Sequence, residues 1–170
     1  MKIFNHTKIL KKYRGSAIAI GNFDGIHKGH QKVLYKTKKF ARKNKIKFGV
    51  MTFTPLPIMF FNKKIKNYRL ASEDQKLILL KRCGVDFVVN IKFNRKFSKI
   101  NAEDFIKKII FQKIKPRSLS VSDNFKFGRK RKGNVNLLKK LSYKYEYKLL
   151  NIKAFKYYGN IVSSTRIRKC

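Results

Sequence analysis

The sequence predicts a doubly wound, mostly parallel α/β domain with five strands. Three observations carry that expectation. Short apolar runs alternate with longer amphipathic ones in the order β-α-β-α-β-α-β-α-β, the pattern of parallel strands joined by crossover helices. The apolar runs are near-continuous, as strands covered on both faces require. The third observation is a set of gaps in the charge. The chain carries 44 Lys+Arg against 8 Asp+Glu, a formal charge of +36, yet residues 15–27, 48–62, 83–91, 118–125 and 157–165 contain no cation. A cation is costly in a buried strand and obstructive in a tight ligand loop, so the gaps mark both.

The first strand is 16–20 (SAIAI), the second 48–53 (FGVMTF), the third 85–91 (VDFVVNI) and the fourth 118–121 (SLSV). A weaker fifth covers 149–152. Between the first two, 30–43 reads as a helix with Val33, Leu34, Thr37, Phe40 and Ala41 on one face. Ser72 caps a helix over 72–83, with Glu73 and Asp74 in its first turn, where the helix dipole favours carboxylates. Asn101 caps 101–114 in the same way, with Glu103 and Asp104 followed by Phe105, Ile106, Ile109 and Ile110. Asn134 opens a last helix over 134–141. In this architecture ligands bind beyond the carboxyl ends of the strands, where the strand order reverses. Chemistry is therefore expected just after Ile20, Phe53 and Val121, and near Ser163.

At 170 residues the chain is one domain. Lys or Arg interrupts every window of about 18 residues, so no membrane span is expected. The only apolar run near the start, 17–20, is short for a signal peptide, and a cytoplasmic protein follows. Cys83 and Cys170 then read as reduced thiols, and no Cys/His cluster has zinc spacing. Of the 44 cations 34 are Lys, and Lys, Asn, Ile, Phe and Tyr, all with A/T-rich codons, make up over half the chain. Genome composition explains the charge, and no specific nucleic-acid partner is expected. The positive field still draws anionic small molecules to any cleft.

The loop after the first strand reads Gly21-Asn22-Phe23-Asp24-Gly25-Ile26-His27-Lys28-Gly29-His30. Gly21 and Gly25 can take left-handed backbone and admit a ligand closely. Asp24-Gly25 is a turn dipeptide. His27 and His30, three apart at a helix start, project to one side. A helix N-terminus presents free N–H groups, so two imidazoles beside it make a phosphate site with no fixed extra charge.

This loop resembles the G-x-F-D-G-x-H-x-G-H signature of prokaryotic-type FAD synthetases, the FMN adenylyltransferase module of bifunctional riboflavin kinase/FAD synthetase enzymes. These belong to the wider HxGH nucleotidyltransferase group. Residues 122–128 (SDNFKFG) resemble the family's G-x-[DN]-F-x-F-G stretch, and 129–133 (RKRKG) its basic turn. Residues 162–168 (VSSTRIR) resemble its I-S-S-T-x-I-R motif, and Arg69-Leu70 also fits.

The resemblance implies a Rossmann-like nucleotidyltransferase domain over 1–170 that transfers AMP from ATP to FMN with Mg²⁺, giving FAD and pyrophosphate. ATP would bind Gly21, Asn22, Phe23, Asp24, Gly25, His27, His30, Ser163, Ser164, Thr165 and Arg168. Among them His27 and His30 would donate to the triphosphate. Ser164 and Thr165 would hold the β- and γ-phosphates through hydroxyls or backbone N–H groups. Arg168 would neutralise the leaving group. Asn124, Phe125, Phe127 and Arg129 would contact FMN, residues 58–61 could cover its ring, and Lys126 and Arg131 could meet phosphate. No metal ligand is assigned.

Three departures stand out. Phe53-Thr54-Pro55-Leu56-Pro57 replaces the usual F-E-P-H-P, losing an acid and a histidine. Ser122 replaces a glycine. The sequence stops two residues after Arg168, where the family continues into a riboflavin kinase barrel. The kinase module is thus expected to be absent, with a separate riboflavin kinase supplying FMN. Two other readings stay open: transfer to a different acceptor, and nucleotide binding without turnover.

Overall fold

A computed structural model describes residues 1–65 and 68–169. The chain runs through β1 (Lys2–Phe4), β2 (Ala17–Ile20), α1 (Lys28–Lys43), β3 (Phe48–Thr54), α2 (Pro57–Phe61), α3 (Glu73–Arg82) and β4 (Phe87–Lys92). It continues with α4 (Arg95–Ser98), α5 (Ala102–Asp104), which runs on as a π-helix over Phe105–Ile114, then β5 (Ser118–Ser122), α6 (Val135–Leu141) and β6 (Lys148–Ile152). A small hairpin, β7 (Lys156–Tyr157) and β8 (Asn160–Ile161), leads to α7 (Ser164–Lys169). The expectation for Cys170 lies outside the described residues.

Six strands, not five, form the main sheet, in the order β1-β4-β3-β2-β5-β6. All its pairings are parallel. The extra strand, β1, is three residues long with only Phe4 buried, too short to leave a periodic signature. It joins because Phe4 packs edge-on against Phe87, with ring centroids 6.3 Å apart, while its backbone pairs the otherwise open edge of β4.

The two faces of the sheet explain the unbroken apolar runs. In β2, Ile18 and Ile20 join one core with Met51, Phe53, Phe87, Leu119 and the π-helix residues Ile106, Ile110 and Ile114. Ala17 and Ala19 face the other way, into a core with Val50, Val88, Leu80 and the α1 residues Val33, Leu34 and Ala41. The small alanines let α1 lie close to the sheet, while the isoleucines fill the wider gap beneath the π-helix. Truncating a fully buried isoleucine such as Ile18 to alanine would cost about 2–5 kcal/mol.

The expected caps form. The Ser72 side chain accepts from the Gln75 N–H while the Gln75 side chain accepts from the Ser72 N–H, closing a capping box. Asn101 and Asn134 cap through their side chains. The π-helical winding of Phe105–Ile114 was not expected, because the α and π windings bury nearly the same apolar positions. The helix after β2 starts at Lys28, two residues before the expected start, because His27 itself is the cap.

Candidate active site

The chain leaves β2 toward β3 and β4 on one side and returns to β5 and β6 on the other, so the sheet order reverses between β2 and β5. The loops beyond these two strands open onto a cavity of about 700 Å³.

The loop after β2 is wound tightly. Phe23 (φ 49°), Gly25 (φ 74°) and Ile26 (φ 38°) are left-handed. The expectation for Gly25 is met, whereas Gly21 is not left-handed and the non-glycine Phe23 and Ile26 are. Such residues cost on the order of 1–3 kcal/mol each and persist only under outside restraint. The restraints are visible. Phe23 is fully buried. The Thr52 hydroxyl donates to the Asn22 carbonyl at 3.1 Å, and the Gln31 amide donates to the Ile26 carbonyl at 3.1 Å. The buried Asp24 carboxylate accepts from the Leu70 N–H at 2.9 Å and the Ala71 N–H at 3.2 Å.

His27 caps α1, its Nδ1 accepting from the His30 N–H at 3.4 Å. That bond assigns the neutral tautomer with the proton on Nε2, a free donor. The His27 and His30 rings stack with centroids 3.7 Å apart, and Phe23 packs edge-on against His30 at 5.3 Å. Burial lowers the His27 pKa, opposed by Asp24 and aided by Arg168. Burial and the neighbouring His27 push His30 down to about 3. Both rings are therefore neutral near neutral pH, and His30 Nδ1 is buried without a partner.

The tail folds back onto this loop. A Cβ on Gly29 would lie 3.0 Å from His27 Cε1 and 3.2 Å from the Val162 carbonyl oxygen, so only glycine fits between them without a shift. The Ser164 hydroxyl donates to the Asp24 carbonyl at 3.2 Å. The Arg168 guanidinium pairs with the Asp24 carboxylate, lies 3.7 Å over the Tyr68 ring and donates through Nε to the Tyr68 carbonyl at 2.6 Å.

The cavity wall collects Gly21, Asn22, Phe23, Asp24, His27 and His30 from the first loop and Ser163, Ser164, Thr165 and Arg168 from the tail. Asn124, Phe125 and Phe127 line it as well, while Gly25 and Arg129 do not. A Cβ on Gly25 would lie 2.8 Å from Leu70 Cβ, and the Arg129 N–H is spent on the Ile100 carbonyl at 2.8 Å. Lys126, Lys130, Arg131 and Lys153 supply cations at the wall; Lys130 belongs to the basic turn of 129–133, whereas Lys153 had no sequence signal beyond the general excess of lysine.

Much of the remaining wall is aromatic. Phe93 packs against Phe97 at 5.5 Å, Phe97 against Phe105 at 6.2 Å, Phe105 against Phe127 at 5.4 Å and Phe127 against Phe125 at 5.5 Å. All five line the cavity, as do Ile58 and the largely exposed Phe61 of α2. Phe93, Phe97 and Phe105 escaped the sequence reading because they belong to three separate segments. Of the residues that depart from the family pattern, Leu56 and Ser122 line the cavity and Thr54 does not. Leu56 adds apolar surface to the cavity, the Thr54 hydroxyl reaches Glu73 Oε2 at 3.0 Å, and Ser122 ends β5 in extended backbone with its hydroxyl donating to Asn124 Oδ1 at 2.7 Å.

The site thus joins a neutral imidazole pair, hydroxyls and an arginine to an aromatic wall in one cavity. The first suits a polyphosphate and the second a planar ring. Among the described residues no group of three or more His, Cys, Asp or Glu could hold a metal ion, and no helix is long and apolar enough to cross a membrane.

A family model described as FAD synthetase matches residues 9–166. A bifunctional riboflavin kinase/FMN adenylyltransferase of Buchnera aphidicola subsp. Schizaphis graminum is 41% identical over 172 residues, covering 100% of this chain and 55% of its own length. One of the same name from Escherichia coli K12 is 34% identical, over 91% of this chain and 50% of its own. The chain spans about half the length of these curated relatives. A crystal structure of a macrolide-efflux protein from Streptococcus pneumoniae superposes with a TM-score of 0.81 at 23% identity, over 98% of this chain and 54% of that one, which shows a shared fold.

Proposed function

The chain belongs to the FAD synthetase family, and on that premise we propose that residues 1–170 act as an FMN adenylyltransferase module, moving AMP from ATP to FMN and releasing pyrophosphate. The observation that carries the reading is the stacked His27–His30 pair sharing one cavity with Ser163, Ser164, Thr165, Arg168 and an aromatic wall.

An FMN phosphate oxygen attacks the α-phosphorus of ATP in line. The new P–O bond makes FAD, and the bond from the α-phosphorus to the bridging oxygen breaks, with pyrophosphate taking the electron pair. The FMN phosphate is already anionic at neutral pH, so the protein's work is placement and charge stabilisation. His27 donates from Nε2 to the triphosphate near the scissile bond, and His30 stands behind it as a second donor. Their neutrality lets them bind without adding a buried charge that would have to be desolvated. Ser163 and Thr165 hold the β- and γ-phosphates through their hydroxyls, and Ser164, whose hydroxyl proton goes to the Asp24 carbonyl, through its backbone N–H. Arg168 lies beside the leaving group with its position set by Asp24 and Tyr68. Gly21, Asn22 and Phe23 bring the loop backbone near the nucleotide. Phe125 and Phe127, with Phe93, Phe97 and Phe105, bound the flavin, while Asn124 and the wall cations receive its polar side and phosphate.

A magnesium ion fits this site as one carried by the nucleotide. The wall offers neutral oxygens, at Asn22 and Thr165, rather than a carboxylate cage, and Mg²⁺ is commonly held mostly by phosphates and water. When bound it would offset charge on the β- and γ-phosphates. FMN comes from a riboflavin kinase activity, which the relatives' names pair with this one. ATP as co-substrate and the free thiol of Cys83 support a cytoplasmic setting.

The test is FAD formation from FMN, ATP and Mg²⁺ by the purified chain, followed by chromatography. His27→Ala and His30→Ala should each lower kcat by about 10²–10³, the scale of losing one charge-stabilising donor. Full turnover in both variants would end the assignment, and absence of FAD with the unmodified chain would end the reading.

A further inference from the structure

Beneath the nucleotide loop lies a lysine that the reaction as described does not use. Lys76 of α3 has a side chain only 3% exposed, unusual for the most readily hydrated cation. Its ammonium donates to Thr52 Oγ1 at 3.3 Å and pairs with Glu73 Oε2 at 3.2 Å. Glu73 is held in turn by Arg69 at 3.1 Å and by the Thr54 hydroxyl at 3.0 Å. Thr52 is fully buried, and its single hydroxyl proton goes to the Asn22 carbonyl. Its oxygen must therefore accept, and Lys76 supplies the donor. The sequence Glu73–Lys76–Thr52–Asn22 runs from a charge network straight into the cavity wall.

We infer that Lys76 is a positioning residue for nucleotide binding, fixing the Asn22 carbonyl through Thr52 and so the left-handed loop that carries His27. This rests on the proposed reaction for its substrate, and it deepens that reading. The loop needs such an anchor because Phe23 and Ile26 hold left-handed backbone without being glycine. The other side-chain restraints act further along, at Asp24 and Ile26; Thr52 grips the loop where it leaves β2, one residue past the backbone bond from the Gly21 N–H to the Met51 carbonyl. Burial lowers the Lys76 pKa while Glu73 and Asp24 raise it and Arg69 lowers it, so the ion pair with Glu73 offsets part of the cost of burying the charge.

Three variants test the chain of contacts: Lys76→Met, which keeps the stem and removes the donor, Thr52→Val, which removes the hydroxyl, and Thr52→Ser, which keeps it. Lys76→Met and Thr52→Val should each raise KM for ATP about tenfold, the scale of a charge-assisted hydrogen bond, and leave KM for FMN unchanged. Thr52→Ser should keep the KM for ATP of the unmodified chain even if its melting temperature falls. The double variant Lys76→Met/Thr52→Val should bind ATP no worse than the weaker single one, because both break the same link. A merely structural role would reduce the active fraction and leave both KM values alone. An unchanged KM for ATP in Thr52→Val, or full additivity in the double variant, overturns the inference, and Thr52→Val serves should Lys76→Met not fold. Direct ATP titration separates this from the reaction itself. A chain that binds ATP but makes no FAD refutes the proposed function while the tenfold weakening in the variants still upholds Lys76. A chain that does not bind ATP refutes both.

Discussion

Acid should weaken this fold through one residue in particular, His30. Its imidazole sits beneath Phe23 and against His27, and burial followed by the neighbouring ring holds it at about 3. An unfolded histidine titrates near 6.5. Between those values the unfolded chain binds a proton that the native chain refuses. Stability therefore rises with pH: the His30 contribution is complete above about pH 6.5 and is lost progressively as pH falls toward 3. At about pH 5 the difference is roughly 1.5 pH units of linkage, or about 2 kcal/mol. In a chain of this length that corresponds to about 4–8 °C in Tm. The assay is thermal unfolding at about pH 7.5 and pH 5, for the unmodified chain and for His30→Gln. Other groups titrate in both proteins, so the difference of differences isolates His30. The unmodified chain should lose about 4–8 °C more than the variant on acidification. Equal losses would show that His30 is not held neutral, and the argument from its burial would fail with it.

Two further outcomes follow from the contacts between tail and loop. Asp24→Asn leaves the Arg168 guanidinium without its carboxylate in a largely buried pair, and breaking such a pair costs about 3 kcal/mol or more; Tm should fall by about 6–12 °C, and an unchanged Tm would mean that the pair does not hold the tail. Gly29→Ala should lower kcat/KM about tenfold, because the new methyl must displace His27 or Val162 by a few tenths of an ångström, while Tm stays level or rises, since alanine is the better helix former; unchanged kcat/KM would show that the His27 position is not critical.

Much of this protein is legible in the residues alone. A strand buried on both faces must be apolar throughout, and in a chain with 44 cations such strands show as gaps, which is why β2, β3, β4 and β5 could be read in place. Caps are equally local: Ser72, Asn101 and Asn134 each act within three residues of themselves. The loop from Gly21 to His30 is legible because it is contiguous and because glycine, carboxylate and imidazole each have few reasons to occur in that spacing. What tertiary structure decided is whatever joins distant segments. The edge strand β1 exists only because β4 offers it a partner. The aromatic wall takes Phe93, Phe97 and Phe105 from separate elements, and no local pattern separates them from ordinary core. Arg168 meets Asp24 across 144 residues of chain, and Lys76 meets Thr52 across 24. Sequence periodicity records which face of an element is apolar, not which neighbour covers it, and so the charges that brace the loop became visible only when the chain was folded.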